Sequence, residues 1–193
     1  MAEAPSVPPI EELDELGAEA FVGALAPLFE GAPRFVERLG RDRPFGSYAA
    51  LLDRARRLAL TMPEPEQIAL LDAHPRIGAP PAAISALSFR EQGCDREAAD
   101  GAGDQGRLAA TADEEASRQR LAIELERLNA AYEARFGFRF VIYVAGRSRT
   151  EIARLMEGHL AADREEEMQR GLSDVVGIAR DRLERLGGAE EAG

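Results

Sequence analysis

Apolar residues return every three or four positions through most of the chain, the period of a helix with one buried face. Ile10, Leu13, Leu16, Ala20, Phe21, Ala24, Leu25 and Leu28 form the first series, and Gly17 is placed to split it into two helices. Phe29-Glu30-Gly31-Ala32-Pro33 breaks the pattern. It resumes behind Ser47, a good N-cap, with Tyr48, Leu51, Leu52, Ala55, Leu58 and Ala59. Pro63 and Pro65 punctuate, and a short helix with Ile68, Leu70 and Leu71 runs up to His74. Pro75 to Leu87 reads as loop, Ser88 to Gln92 opens another segment, and Gly93 to Gly106 is polar and loose. Leu108, Leu121, Leu125, Leu128, Tyr132 and Phe136 mark the clearest helix, which Gly137 stops. Another starts at Thr150-Glu151-Ile152 and sets Leu155, Met156, His159 and Leu160 on one face. The last carries Met168, Leu172, Val175, Ala179, Leu183 and Leu186. Residues 1–9 and 187–193 read as flexible tails around one domain, 10–186.

One stretch departs from this period. Phe138-Arg139-Phe140-Val141-Ile142-Tyr143-Val144 is β-branched and aromatic, and locally reads as a strand. No convincing second strand exists to pair with it, and a lone strand leaves its peptide groups without a sheet partner. Either it is buried helix against its propensity, or it is extended with its backbone satisfied elsewhere, a polar ligand being one such partner. The pattern therefore predicts an all-α, single-domain, multi-helix fold with one extended segment near residues 138–144.

Composition narrows the chemistry. The 193 residues, 45% of them apolar, suffice for a core without staples. Cys94 is alone, which rules out an internal disulfide and suggests a reducing, cytoplasmic setting. No signal-peptide pattern and no long apolar run points to a membrane. The net charge of −11 argues against nucleic acid as a partner. All 24 basic residues are arginine, and without a lysine amine neither Schiff-base catalysis nor covalently held pyridoxal phosphate is possible. Two histidines far apart and one cysteine give no metal-ligand spacing. Gly101-Ala102-Gly103-Asp104-Gln105-Gly106 sits in polar context and reads as loop, not as a phosphate cradle.

Acid–base chemistry remains, and His74 is its best candidate. A scarce imidazole stands at a helix end, in Ala73-His74-Pro75-Arg76-Ile77-Gly78. The plainer reading is a helix C-terminal residue favouring the negative end of the dipole. Ser88-Phe89-Arg90-Glu91-Gln92 is first of all a capping-box sequence, yet it clusters Ser88, Glu91 and Gln92 at a helix N-terminus, where anions bind. Gly146-Arg147-Ser148-Arg149-Thr150-Glu151 reads as a loop and helix cap with solvated arginines. Arg182 reads as a surface residue, His159 as packing, and Cys94 lacks a base beside it.

Taken in order, several of these segments resemble one family. They run from Phe29-Glu30-Gly31-Ala32-Pro33 and Arg43-Pro44-Phe45 through the His74-Pro75 and Ser88-x-x-Glu91-Gln92 motifs. Leu128-Asn129-x-x-Tyr132, Phe136-Gly137-Phe138-x-Phe140-Val141, Gly146-Arg147-Ser148 and Glu151-Ile152 come next. The pattern is similar to 2-oxo-4-hydroxy-4-carboxy-5-ureidoimidazoline (OHCU) decarboxylase, which closes the conversion of urate to (S)-allantoin. The resemblance implies an all-helical homodimer that needs no cofactor and no metal. It implies catalytic roles for His74, as proton donor, and Glu91. It implies substrate contacts from Pro75, Ser88, Gln92, Phe140, Val141, Ile142, Tyr143, Val144 and Arg182. The chain departs from the family at Arg34-Phe35, where tryptophan is frequent, and at Arg139, His159 and Cys94. Two other readings stand beside it: a decarboxylase of a related ureido or imidazoline acid, and a non-catalytic helical interaction module.

Overall fold

The computed structural model describes residues 6–79 and 112–187. The elements are α1 (Ile10–Glu15), α2 (Ala18–Leu25), α3 (Pro33–Leu39), a 3-10 turn (Gly40–Asp42), α4 (Tyr48–Thr61), α5 (Glu64–Asp72), α6 (Ala112–Phe136), α7 (Arg149–His159) and α8 (Arg164–Arg185). There is no strand among the described residues, so the fold is all-α as the apolar period predicts. No described helix is long and apolar enough to cross a membrane.

Local chemistry sets the boundaries. Gly17 caps α2 and separates it from α1. The Ser47 hydroxyl accepts the Ala50 N–H at 3.1 Å and starts α4. Pro65 lies in the first turn of α5, where its missing N–H costs nothing. Ser148 and Glu151 form a reciprocal capping box at the head of α7, as a loop-and-cap reading of that motif requires. The Ser148 backbone N–H, and then its hydroxyl, hold the Glu151 carboxyl below the usual range.

The chain forms two compact units, neither contiguous in sequence. The first contains described residues 6–74, 141–143 and 168–187, and the second 75–79, 112–140 and 144–167. In the first unit α1 to α5 and most of α8 bury Leu13, Phe21, Leu25, Leu51, Leu71 and Leu172. The Asp14 carboxylate accepts the N–H groups of Phe45 and Gly46 at 2.9–3.0 Å, and Arg43 bonds the Leu16 carbonyl while lying 4.5 Å over the Phe21 ring. In the second unit Tyr132 packs on Phe136, Phe138 and Phe140, with ring centroids 4.5, 5.9 and 5.0 Å away.

Two details differ from the pattern, and a third decides between the two readings of the segment after Gly137 in favour of the extended one. A helix over Pro33–Leu39 occupies ground that the Gly-Ala-Pro break marks as loop, with Pro33 as its first residue. Leu155 is exposed on α7; Ile152, Ala153 and Met156 form the buried face. Residues 139–144 are neither helix nor strand, and helix side chains bind them. Arg170 donates to the Val141 carbonyl at 2.9 Å, and the Tyr143 hydroxyl donates to Asp181 at 3.1 Å.

Candidate functional site

His74 lies just past the last turn of α5 and is 7% exposed. Its backbone N–H bonds the Leu71 carbonyl at 3.1 Å, which extends the helical turn. Its ring Nδ1 lies 3.2 Å from the Leu70 carbonyl oxygen. A carbonyl only accepts, so this bond requires the proton on Nδ1. The imidazolium carries a proton on each nitrogen. Losing the one on Nε2 produces the tautomer that the Leu70 carbonyl already favours. The local structure thus suits a single proton transfer through Nε2.

The turn before α3 supports this end of α5. Gly31 has φ of +73°, and a Cβ there would stand 3.0 Å from the carbonyl oxygen of Ala73, the residue before His74. The same turn receives Arg182. That side chain is 1% exposed, so its reading as a surface arginine is corrected. Its guanidinium donates to the Pro27 carbonyl at 3.2 Å and to the Leu28 carbonyl at 3.5 Å, and it stands 3.4 Å from a Glu30 carboxylate oxygen. Burying a guanidinium is costly unless such acceptors surround it. Residues 27–31 therefore hold one proposed site residue, Arg182, and buttress the neighbour of another, His74. Sequence reasoning treated this turn as a break and one part of a resemblance. The only signal within it was a Glu-Gly pair preceding a proline.

Pro75 is half-buried and opens the second unit. The residues after it are fastened to α6 one by one. Arg76 Nε donates to Glu133 at 2.8 Å, a bond that, ahead of the carboxylate's charge, holds the guanidinium still more firmly protonated. Asn129 donates from one amide nitrogen to the Ile77 carbonyl at 2.9 Å and the Leu125 carbonyl at 2.8 Å. Gly78 lies so close to Leu125 that a Cβ would meet its Cδ1 at 3.0 Å. The Arg76-Ile77-Gly78 sequence thus anchors the chain on the C-terminal side of the histidine.

The extended segment divides between the units. Val141, Ile142 and Tyr143 belong to the first, where Arg170 and Asp181 of α8 bind them, and Phe140 and Val144 belong to the second. Burial, and then the Asp181 charge, push the Tyr143 phenol above its ordinary pKa. Ser88, Glu91, Gln92 and Cys94 lie outside the described residues. A cavity of about 360 Å³ in the first unit is lined by Gly31, Phe35, Met62, Pro65, Glu66 and Leu70, among others, and His74 is not among its walls. No group of three His, Cys, Asp or Glu side chains that could hold a metal exists among the described residues.

Comparison with known proteins bears on family and fold. The chain is 28% identical over 177 residues to a uric acid degradation bifunctional protein of Bacillus sp. (strain TB-90), covering 92% of this chain and 32% of that protein. The chain thus spans about a third of the length of this bifunctional relative. It is 29% identical to a 2-oxo-4-hydroxy-4-carboxy-5-ureidoimidazoline decarboxylase of Haloferax volcanii, covering 90% of this chain and 93% of that one. Among solved structures, an (S)-allantoin synthase superposes with a TM-score of 0.61 at 18% identity, over 92% of this chain and 53% of that one. An OHCU decarboxylase crystallised in the presence of (S)-allantoin gives 0.55 at 16% identity, over 81% and 93%. These two likenesses are of fold. The OHCU decarboxylase family model matches residues 14–184, nearly the whole chain, and the chain therefore belongs to the OHCU decarboxylase family.

Proposed function

We propose that this chain decarboxylates OHCU to (S)-allantoin and CO2, with His74 as the proton donor. The observation that carries the reading is the His74 ring, buried at the end of α5 with Nδ1 tied to the Leu70 carbonyl, so that proton exchange falls to Nε2. The substrate holds its own electron sink. When the bond to CO2 breaks, its electron pair moves toward the adjacent ring C=N. That leaves an enol and an anionic ring nitrogen. The carbon bearing the ureido group takes one proton from His74 and becomes the stereocentre of allantoin, while the enol hydroxyl gives its proton to the ring nitrogen and becomes the product C=O. No lysine, thiamine or metal is called for. The protein has to orient the carboxylate, exclude water and deliver that proton to one face. Orientation alone is worth up to roughly 7–11 kcal/mol of barrier.

In this reading Glu91 and Gln92 hold the hydroxyl or ureido groups, and Ser88 and Pro75 also bind the substrate. The backbone of Phe140, Val141, Ile142, Tyr143 and Val144 holds ring polar atoms, and Arg182 holds negative charge. Residues 10–186 form the catalytic domain. Two chains form a homodimer, and a cytoplasmic setting suits a chain whose lone Cys94 closes no internal disulfide.

The test uses OHCU freshly generated by urate oxidation and follows product chirality by circular dichroism. The wild-type chain accelerates the signal of (S)-allantoin. His74→Asn stays folded, keeps substrate affinity within a few-fold, and loses stereospecific product. Normal turnover by His74→Asn sinks the role of the histidine. Racemic product at the uncatalysed rate with wild-type protein sinks the decarboxylase reading. Light scattering decides between monomer and dimer.

A further inference from the structure

The second unit contains a buried carboxylate that this mechanism does not use. Glu167, in the first turn of α8, is 2% exposed. One of its oxygens accepts the Tyr132 hydroxyl of α6 at 2.6 Å, and the other stands 3.0 Å from Nδ1 of His159, the last residue of α7. Both partners also meet one further ring. The Tyr132 and Phe140 centroids are 5.0 Å apart at 78°, edge to face, and the His159 and Phe140 centroids are 5.9 Å apart at 50°. A buried carboxylate is a poor source of net stability, because apolar side chains of similar volume fill such a place as well. It supplies direction: a hydrogen bond from Tyr132 and a 3.0 Å contact with His159 Nδ1 orient two rings.

We propose that Glu167 is a positioning residue that, by tethering Tyr132 and His159, fixes Phe140 and so the start of the segment 140–144 that binds substrate. This rests on the decarboxylase reading for the word substrate; the link from Glu167 to Phe140 stands on the contacts themselves. Side chains of α6 and α7 meet the Phe140 ring, and the carboxylate, from α8, joins those two side chains. Phe140 in turn leads directly into Val141, where the backbone crosses into the first unit.

Tyr132→Phe keeps the ring and removes one tether. Glu167→Ala removes both. Glu167→Gln retains an acceptor for Tyr132 and offers an N–H to His159, whose neutral ring accepts on Nδ1 when its proton moves to Nε2. Tyr132→Phe and Glu167→Ala raise KM for OHCU and weaken (S)-allantoin binding by about three- to tenfold with kcat within about twofold, the signature of a contact used equally before and in the transition state. Glu167→Gln restores both constants to within about twofold of wild type. In ¹⁵N-labelled full-length protein, Tyr132→Phe also moves the amide resonances of Phe140 and Val141.

Failure of the decarboxylase reading shows separately, as a wild-type chain that does not turn over OHCU. The amide shifts then decide the link alone: moved resonances uphold it and unmoved ones overturn it. With an active wild type, a lowered melting temperature with unchanged KM and allantoin affinity makes the cluster purely structural and overturns the proposal. So does a Glu167→Gln variant no better than Glu167→Ala.

Discussion

Gly31 makes a sharper demand on its side chain than any charged residue near it. Its φ of +73° disfavours every L side chain, and the Ala73 carbonyl leaves no room for a Cβ. Gly46 has nearly the same φ, +72°, with nothing within 4 Å. Comparing the two separates strain from contact. Gly46→Ala is expected to cost about 1 kcal/mol of stability and leave turnover alone. Gly31→Ala is expected to cost about 1–3 kcal/mol and also to lower kcat, since relief of the clash moves the backbone beside His74. Thermal melts and initial rates on both variants check this, and equal kcat values would dissociate the turn from the histidine. At this scale the place of His74 at a helix end was legible, because it ends an apolar series. Arg182 was not. It sits near Arg180 and Arg185 on an amphipathic helix, and the carbonyl that accepts from it belongs to Pro27, 155 positions earlier. No local pattern encodes a bond of that span.

Helices follow their own signals more faithfully than sites do. The split at Gly17, the start at Ser47, the proline punctuation of α5 and the stop at Gly137 all lie where caps and breakers place them. Each is a short-range effect that is complete within one turn. Helix α3 escaped notice because seven residues give too few apolar positions to reveal a period, and because Pro33, read as a break, is a helix start. The segment after Gly137 posed the opposite problem. Its β propensity is genuine, but strand formation needs a partner strand, and the helices provide side-chain partners to an extended chain. Capping makes the helix scale measurable. Ser47→Ala removes the acceptor for the Ala50 N–H and is expected to lower stability by about 1 kcal/mol. Ser47→Asp, which keeps an acceptor and complements the dipole, should recover most of that loss. Urea titrations with unchanged m-values would confirm that only the cap was altered. Equal midpoints for Ser47→Ala and wild type would show the cap to be idle.

Across the whole molecule, the absence of lysine governs the response to alkali. Arginine stays charged well above pH 12, so the ion pairs keep their cationic members where lysine pairs fail. Between about pH 8 and 12 the side chains that take up negative charge are Cys94 and three tyrosines, Tyr48, Tyr132 and Tyr143. Tyr143 ionises later in the folded chain than in the unfolded one, because burial first and the Asp181 charge second oppose its phenolate. The folded state therefore binds that proton more tightly. The stability this contributes is complete below the unfolded value, about pH 10, and is lost as the pH climbs through the higher folded value. Tyr143→Phe removes both the titration and the bond to Asp181. At neutral pH it should cost about 1 kcal/mol, the usual worth of one such hydrogen bond. Above about pH 10 the cost should shrink, so that the melting temperatures of variant and wild type converge as alkali rises. Melts at half-unit steps, with tyrosinate absorbance recorded on the same samples, would show whether unfolding tracks phenol ionisation. Parallel curves for variant and wild type across that range would place the alkaline limit elsewhere, at Cys94 or the other two phenols.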